Sequence, residues 1–297
     1  MTEERLLIIS PVRNEARHLE AVIAAMAAQT RPPDRWVIVD DGSTDATPAL
    51  LARAARSLPF IQVVRAPQAP IGDDADRLLH AADARAFNYG LRLASGSLHT
   101  HIGKIDGDIE LPPNYWEDLL ERFHARPRLG IAGGVLAEPV GKVWKLRGTS
   151  NLEHVRGALK LYTSECFKTI GGMRELLGWD GFDEVLARMQ GFETRSFPTL
   201  VARHHRIAGS AQGRLRGFHR LGRSMYVEGY PLAWVAARSA KVAGSAPLAI
   251  SGAAYLAGYL EASFRGVPRF EIDGYRQHLR GELRARVIEK LTLAAIA

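Results

Sequence analysis

His101-Ile102-Gly103-Lys104-Ile105-Asp106-Gly107-Asp108-Ile109-Glu110 runs from apolar residues into two aspartates separated by one glycine, and Leu111-Pro112-Pro113 follows at once. Side chains alternate faces along a strand, so Asp106 and Asp108 at a strand end project the same way. The glycine between them lets a ligand approach the backbone closely. Two carboxylates on one rim form a hard oxygen site suited to magnesium or manganese, ions that keep positions open for water and substrate phosphates. An Asp-x-Asp alone occurs in many loops, and its surroundings decide what it means.

Upstream, Leu6-Leu7-Ile8-Ile9 reads as a strand buried on both faces, ended by Ser10-Pro11-Val12-Arg13-Asn14-Glu15. Leu19, Val22, Ile23 and Met26 then recur at helical spacing until Arg31-Pro32-Pro33-Asp34 breaks the helix. Trp36-Val37-Ile38-Val39 is a second buried strand, followed by Asp40-Asp41-Gly42-Ser43-Thr44-Asp45, in which Thr44 or Asp45 can cap a helix over 46–56. Ile61-Gln62-Val63-Val64 makes a third strand. Strands alternating with helices build a parallel sheet with right-handed crossovers, and such sheets bind ligands beyond the carboxyl ends of their strands. Both polar segments sit at those ends.

The loop over 66–76 is long enough to order over a ligand. A helix over 77–95 puts Arg85, Asn88 and Arg92 on or near one face, and Gly96-Ser97 turns it into the quoted strand. A helix over 112–123 carries Trp116, Leu119, Leu120 and Phe123 as a core stripe, and 131–136 is a glycine-bearing strand. The basic segment 142–154 shows no clear element. Further on, Gly171-Gly172-Met173 precedes Gly178-Trp179-Asp180-Gly181-Phe182-Asp183-Glu184 and a helix over 185–190. Three carboxylates beside a tryptophan at a helix mouth are candidates for a general base. The helix terminus favours their ionised form and apolar neighbours push the carboxyl pKa up. The plainer reading is N-capping by Asp180 or Asp183. His204-His205-Arg206 closes this region.

The chain has 297 residues, 46% of them apolar, which suits one large domain or a domain with an appendage. Cys166 is the only cysteine, so there is no intrachain disulfide, which fits a reducing cytoplasm. The acidic-first N-terminus does not read as a signal peptide. A formal charge of +7 attracts anions, but the basic residues are spread along the chain without an aromatic platform, and nucleic acid is not the expected partner. From Leu221 the composition changes. Residues 242–260 form a run of 19 without a charge, near the length that spans a bilayer, yet rich in Ala, Gly and Ser with Pro247 inside. Arg238, Lys241, Arg265 and Arg269 flank it, and Trp234, Tyr255, Tyr259 and Phe264 are interleaved. This suits a helical pair in a membrane interface, or a buried hairpin packed on the catalytic domain or on a second copy. A basic amphipathic helix over 275–293 ends the chain.

In order and spacing, Pro11-Val12-Arg13-Asn14-Glu15, Val39-Asp40-Asp41-Gly42-Ser43-Thr44-Asp45-Ala46-Thr47, Ala86-Phe87-Asn88-Tyr89-Gly90 and Asp106-Gly107-Asp108 resemble glycosyltransferase family 2 over about the first 210 residues. The resemblance implies an α/β fold of GT-A type, a Rossmann-like, mainly parallel sheet flanked by helices over 1–220, with a helical extension over 221–297 as a membrane-interface or dimer element. It implies an inverting, metal-dependent enzyme using manganese or magnesium. Such an enzyme moves one sugar, a hexosyl group, from a nucleotide-diphosphate sugar to a hydroxyl acceptor on a lipid-linked glycan or polysaccharide. Its expected place is the cytoplasm, at the cytoplasmic face of a membrane.

By the same resemblance Pro11, Arg13 and Glu15 line the nucleotide pocket, Asp41 accepts a hydrogen bond from the base, and Arg85 and Asn88 contact the nucleotide. Asp108 binds the metal, Asp106 holds the ribose or a metal-bound water, and His204 or His205 adds a further metal ligand. Asp180 matches the catalytic aspartate. Trp179 replaces the glutamate that usually precedes it, and the spacing to Arg188 departs by about two residues, so Asp183 and Glu184 stand as rival bases. The Gln-x-x-Arg-Trp motif of processive synthases is absent, which points to single transfers. A nucleotidyltransferase is the rival enzyme, but Ser10–Glu15 lacks the glycine and lysine its phosphate loop needs. A catalytically inactive member, or a basic anion- or membrane-binding protein, is the other alternative.

Overall fold

The computed structural model of the chain describes residues 4–67, 76–94, 98–147, 151–206, 213–244 and 247–296. Most of the loop expected to order over a ligand, and the Gly96-Ser97 turn, lie outside the described residues. The chain divides into two compact units, Met1–Ala208 and Gly209–Ala297.

Unit 1 is built on one nine-stranded sheet. Strands β1 (Leu6–Val12), β2 (Arg35–Asp40), β3 (Ile61–Arg65) and β4 (His101–Ile105) lie parallel in the order β3-β2-β1-β4. The sheet continues through β8 (Leu159–Thr163), β6 (Leu129–Val140), β9 (Glu193–His204) and the two-residue β5 (Ile109–Glu110). β8 runs antiparallel to both β4 and β6, and β9 runs parallel to β6. Strands β1, β2, β4 and β9 therefore all end on the same edge.

The apolar runs of β1 and β2 are buried on both faces because helices cover both. Leu6, Ile8, Trp36 and Ile38 pack with Leu19, Val22 and Met26 of α1 (Leu19–Ala27), Leu51 of α2 (Thr47–Ser57) and the Trp116, Leu119 and Phe123 stripe of α4 (Tyr115–His124). On the other face α3 (Ala82–Leu93) comes so close that a Cβ on Gly90 would meet Val39 at 2.7 Å and Ile9 at 3.0 Å. α3 starts later than the 3.6-residue pattern suggests, because Arg77–His80 is a 3-10 turn that ends at Ala81 in the left-handed region (φ 49°). Asp45 does serve α2, its Oδ1 accepting from Thr47 N at 2.9 Å, although the cap position itself is Ala46.

Two further segments differ from their sequence reading. The start of the unplaced basic stretch 142–154 forms β7 (Val143–Arg147), which makes a hairpin with the far half of β6. Helix α6 (Trp179–Met189) starts at Trp179, because Trp179, Phe182, Val185 and Leu186 already sit at helical spacing and are buried. Its cap is Gly178 at φ 89°, so neither Asp180 nor Asp183 caps it. All three candidate bases lie within the helix. A short helix α5 (Ser164–Thr169) joins this face through the Phe87–Phe167 ring contact.

Unit 2 is helical: α7 (Arg214–Val227), α8 (Leu232–Val242), α9 (Ile250–Phe264) and α10 (Tyr275–Ile296). The charge-free run holds the last residue of α8 and the first part of α9, and among the described residues no helix is long and apolar enough to cross a membrane. Tyr255 and Tyr259, two of the aromatics read as interfacial, are buried inside the unit, while Phe264 is 87% exposed. α7 and α9 touch backbone to backbone: a Cβ on Gly222 would lie 1.7 Å from Tyr255 O, and one on Gly258 1.9 Å from His219 O. Helix propensity alone favours Ala over Gly by about 1 kcal/mol. At Gly222 the clash has the opposite sign and is larger. Gly222→Ala should destabilise unit 2 by about 1–3 kcal/mol or more in thermal unfolding, and a stabilised variant would refute this packing.

Candidate functional site

The loops after β1 and β2 are zipped together by side chains. Asn14, at φ 54°, donates its backbone N–H to Ser43 Oγ at 3.0 Å and accepts from Thr44 N at 2.8 Å. Glu15 N donates to Thr47 Oγ1 at 2.8 Å, and Ala16 N to Asp45 Oδ2 at 3.1 Å. Arg13 Nη1 donates to Asp41 O at 2.9 Å, and the Asp41 carboxylate is ion-paired with Arg77. Pro11, in register with Val39, starts this rim. The predicted nucleotide residues Pro11, Arg13, Glu15 and Asp41 are therefore brought together. Arg85 and Asn88 are held elsewhere on α3. Asn88 Nδ2 donates to Met173 O and Glu175 Oε1, both at 3.0 Å, and Arg85 lies 3.9 Å from Glu175.

The Asp-x-Asp follows β4 on the same edge. Gly107 packs against protein: a Cβ there would meet Val12 at 2.8 Å and Glu15 at 3.0 Å, so the bare glycine lets the β1 loop close onto the motif. The two aspartates have separate partners. Asp106 is ion-paired with Lys104, which is buried in β4. Asp108 is 2% exposed and receives Arg206 Nε at 2.7 Å and His204 Nε2 at 3.4 Å. Burial would raise the Asp108 carboxyl, but His204 and Arg206 together hold it at about 2. Burial likewise works against the His204 imidazolium, yet Asp108 and Glu138 lift it to about 9. Arg206 also pairs with Glu15, whose carboxyl burial pushes up to about 7 against the pull of Arg206. Glu15 Oε2 is buried with no hydrogen-bond partner among the described residues. It borders an open cavity of about 210 Å³ lined by Asn14, Glu15, Arg17, His18, His205 and Arg206.

Among the described residues no three His, Cys, Asp or Glu side chains converge as a ready-made metal site. The donor chemistry still fits a divalent ion shared with phosphate oxygens, since such ions take one or two protein ligands and leave the rest to water and substrate. Asp108 and His204 meet face to face. The other ring nitrogen of His204 has no hydrogen bond but faces Glu138 at 3.8 Å, a carboxylate placed to back a ligating histidine once Nε2 gives up to solvent the proton it shares with Asp108. His205 turns away: its Nε2 meets Glu110 Oε2 at 2.9 Å and its ring stacks on His18 with centroids 4.9 Å apart.

The three candidate bases differ sharply. Asp183 and Glu184 are each 3% exposed. Lys160 Nζ donates to both Asp183 oxygens at 3.0 Å and to Glu184 Oε1 at 3.1 Å. Tyr162 adds a hydrogen bond to Asp183, and Val155 N and His154 Nδ1 saturate Glu184 at 2.7 and 3.1 Å. Asp180 is partly exposed, and it is its backbone carbonyl that takes Lys160, at 2.8 Å. Its side chain lies against Gly157, where an added Cβ would come within 2.9 Å of Asp180 Cβ, and Gly157 O accepts from Lys104 Nζ at 3.1 Å. Asp180 thus sits beside the Lys104–Asp106 pair.

Lys104, Lys160 and Arg206 did not stand out in the sequence. The available signal was a lysine inside each of two otherwise apolar strands, His101–Ile105 and Leu159–Thr163. The two lysines are register partners, and each lies over the Trp179 ring, at 5.2 and 5.6 Å from its centroid. The indole donates to Asp83 Oδ2 of α3 at 3.1 Å. Trp179 therefore ties α6 to α3 and to both buried cations.

Residues 7–72 match the family model described as glycosyl transferase family 2. The succinoglycan biosynthesis protein ExoA of Rhizobium meliloti is 33% identical over 194 residues, covering 59% of this chain, and the chain spans about half of that relative's length, 54%. The mannosyltransferase PcManGT of Pyrobaculum calidifontis, solved with GDP-Man and Mn2+, superposes with a TM-score of 0.55 at 18% identity over 96% of this chain and 81% of its own. TarS of S. aureus, solved with UDP-GlcNAc, gives 0.53 at 12% identity, over 91% and 75%. At such identities the two structures establish the fold alone. The chain thus has the GT-A fold of these structures, and its first motif-bearing loops lie in a segment similar to glycosyltransferase family 2.

Proposed function

We propose that the chain is an inverting, metal-dependent glycosyltransferase that moves a single sugar from a nucleotide-diphosphate sugar to a hydroxyl on a glycan or glycolipid acceptor. The observation that carries this reading is that two differently prepared carboxylates flank Asp106: Asp108 two residues on in the chain, and Asp180 on α6 beside Gly157, which the Asp106 partner Lys104 also binds. Asp108 is kept ionised beside His204 and Arg206, and Asp180 is the one partly exposed acid of its trio.

In this reading the nucleotide lies on the rim of Pro11, Arg13, Glu15 and Asp41, with Asp106 holding the ribose. Asp108 and His204 would hold a divalent ion, manganese or magnesium, which when bound would supply positive charge against the diphosphate leaving group. Asp180 accepts the acceptor hydroxyl proton as that oxygen bonds to the anomeric carbon. The bond from that carbon to the diphosphate oxygen breaks with its electron pair leaving on the nucleotide. Arg85 and Asn88, held by Glu175 and Met173, serve the nucleotide only through the loop they anchor. Asp183 and Glu184 act structurally, because their oxygens are already saturated.

Calorimetric titration with UDP and with GDP, each with and without manganese, tests this. The expected result is metal-dependent binding of one nucleotide that Asp108→Ala weakens by at least the roughly tenfold to hundredfold that loss of a metal's outer-shell partner costs. Failure of both nucleotides to bind under every condition would overturn the assignment.

A further inference from the structure

The β6–β7 hairpin is absorbed neither by the donor rim nor by the acid trio. Val140 pairs with Val143 across a tight turn of Gly141 (φ +62°) and Lys142, then Pro139 with Trp144, Glu138 with Lys145 and Ala137 with Leu146. Its apolar side chains are on the outside: Val143 is 55% exposed, Leu146 52% and Trp144 40%. Lys142 and Lys145 are exposed between them. Over Pro139–Arg147 the sequence holds three cations and no acid.

Neighbouring elements extend the same character. Arg203 of β9 lies over the Trp144 ring, 5.5 Å from its centroid, and His205 meets the ring edge-on at 5.5 Å. Exposed Arg17 lines the adjoining cavity together with His205.

We propose that this hairpin is a docking element for an anionic bilayer surface. Valine and leucine at the tip suit the acyl boundary, a tethered tryptophan suits the interface, and interleaved lysines suit anionic headgroups. Charge complementarity selects this occupant. A second copy meeting it face to face would set Lys142 and Lys145 against their own kind, and a nucleic acid would leave the apolar tip unused. The proposal is independent of the reaction proposed above and concerns a different surface from the helices of unit 2.

The test is flotation of the purified chain with vesicles of phosphatidylglycerol and phosphatidylcholine, and with phosphatidylcholine alone. Binding is expected to the anionic vesicles only and to fall with salt. Lys142→Glu/Lys145→Glu should weaken it by about 25-fold or more, taking about fivefold per near-surface cation. Val143→Ser/Leu146→Ser should weaken it comparably while retaining the thermal transition, and Leu248→Ser/Phe264→Ser in unit 2 should not. Brominated lipid should quench fluorescence in the wild type and lose that quenching in Trp144→Phe. The proposal fails if anionic vesicles do not bind, if only the unit 2 variant loses binding, or if the hairpin variants merely convert a dimer to monomer.

Discussion

Asp180→Asn is expected to lower turnover by about 10²–10⁴-fold while leaving nucleotide binding within about twofold. The substitution is nearly isosteric, so the contact with Gly157 and the backbone bond from Lys160 persist. What is lost is the capacity to take a proton. Asp183→Asn and Glu184→Gln provide the contrast. Both residues are buried against Lys160, so their replacement should show first as lost stability, with turnover of the surviving folded enzyme changed far less. Single-turnover rates, compared with calorimetric affinities for the nucleotide, separate these outcomes. If Asp180→Asn retains full turnover, or Asp183→Asn abolishes it without loss of stability, the base has been misassigned.

Lys160→Met should destabilise unit 1 by about 3–5 kcal/mol, because removing one partner leaves uncompensated charge in the interior. Lys160 is fully buried and is the cation for both Asp183 and Glu184. The pH dependence gives a second check. Burial, partly offset by Lys160, already pushes the Asp183 carboxyl up to about 7, with Tyr162 and Glu184 also facing it. Without the lysine it rises further above its unfolded value. An acid with a raised folded pKa binds its proton in the folded state first, so stability increases as pH falls through that folded pKa. The deficit of Lys160→Met should therefore narrow as pH falls towards about 7, where Asp183 of the wild type also takes up its proton, as read by urea unfolding. A deficit that stays constant or widens on acidification would mean that Asp183 does not carry it.

The recurrence of apolar runs and polar ends was enough to read β1 to β4 with their helices. A strand buried on both faces has no polar positions to hide its length, and a parallel sheet puts its loops on one edge. The motif-bearing rim of Arg13, Glu15 and Asp41 could be read for the same reason: local side-chain-to-backbone bonds zip two adjacent loops. Helix α6 was read too short because Asp180, Asp183 and Glu184 look like the acidic entrance to a helix. Only the packed Trp179 and Phe182 show that the helix has already begun.

The amino-acid sequence by itself determined the family resemblance, the parallel half of the sheet and the carboxylates to inspect. These depend on local pattern and on residues close together along the chain. Tertiary structure decided which carboxylates are spoken for. Lys160 pairs with Asp183 and Glu184 from a strand 23 residues away from Asp183, and Arg206 reaches Glu15 across 191 residues. It also separated His204, facing Asp108, from His205, facing Glu110. Adjacent residues on a strand point to opposite faces, and only the neighbouring strands reveal what each face meets.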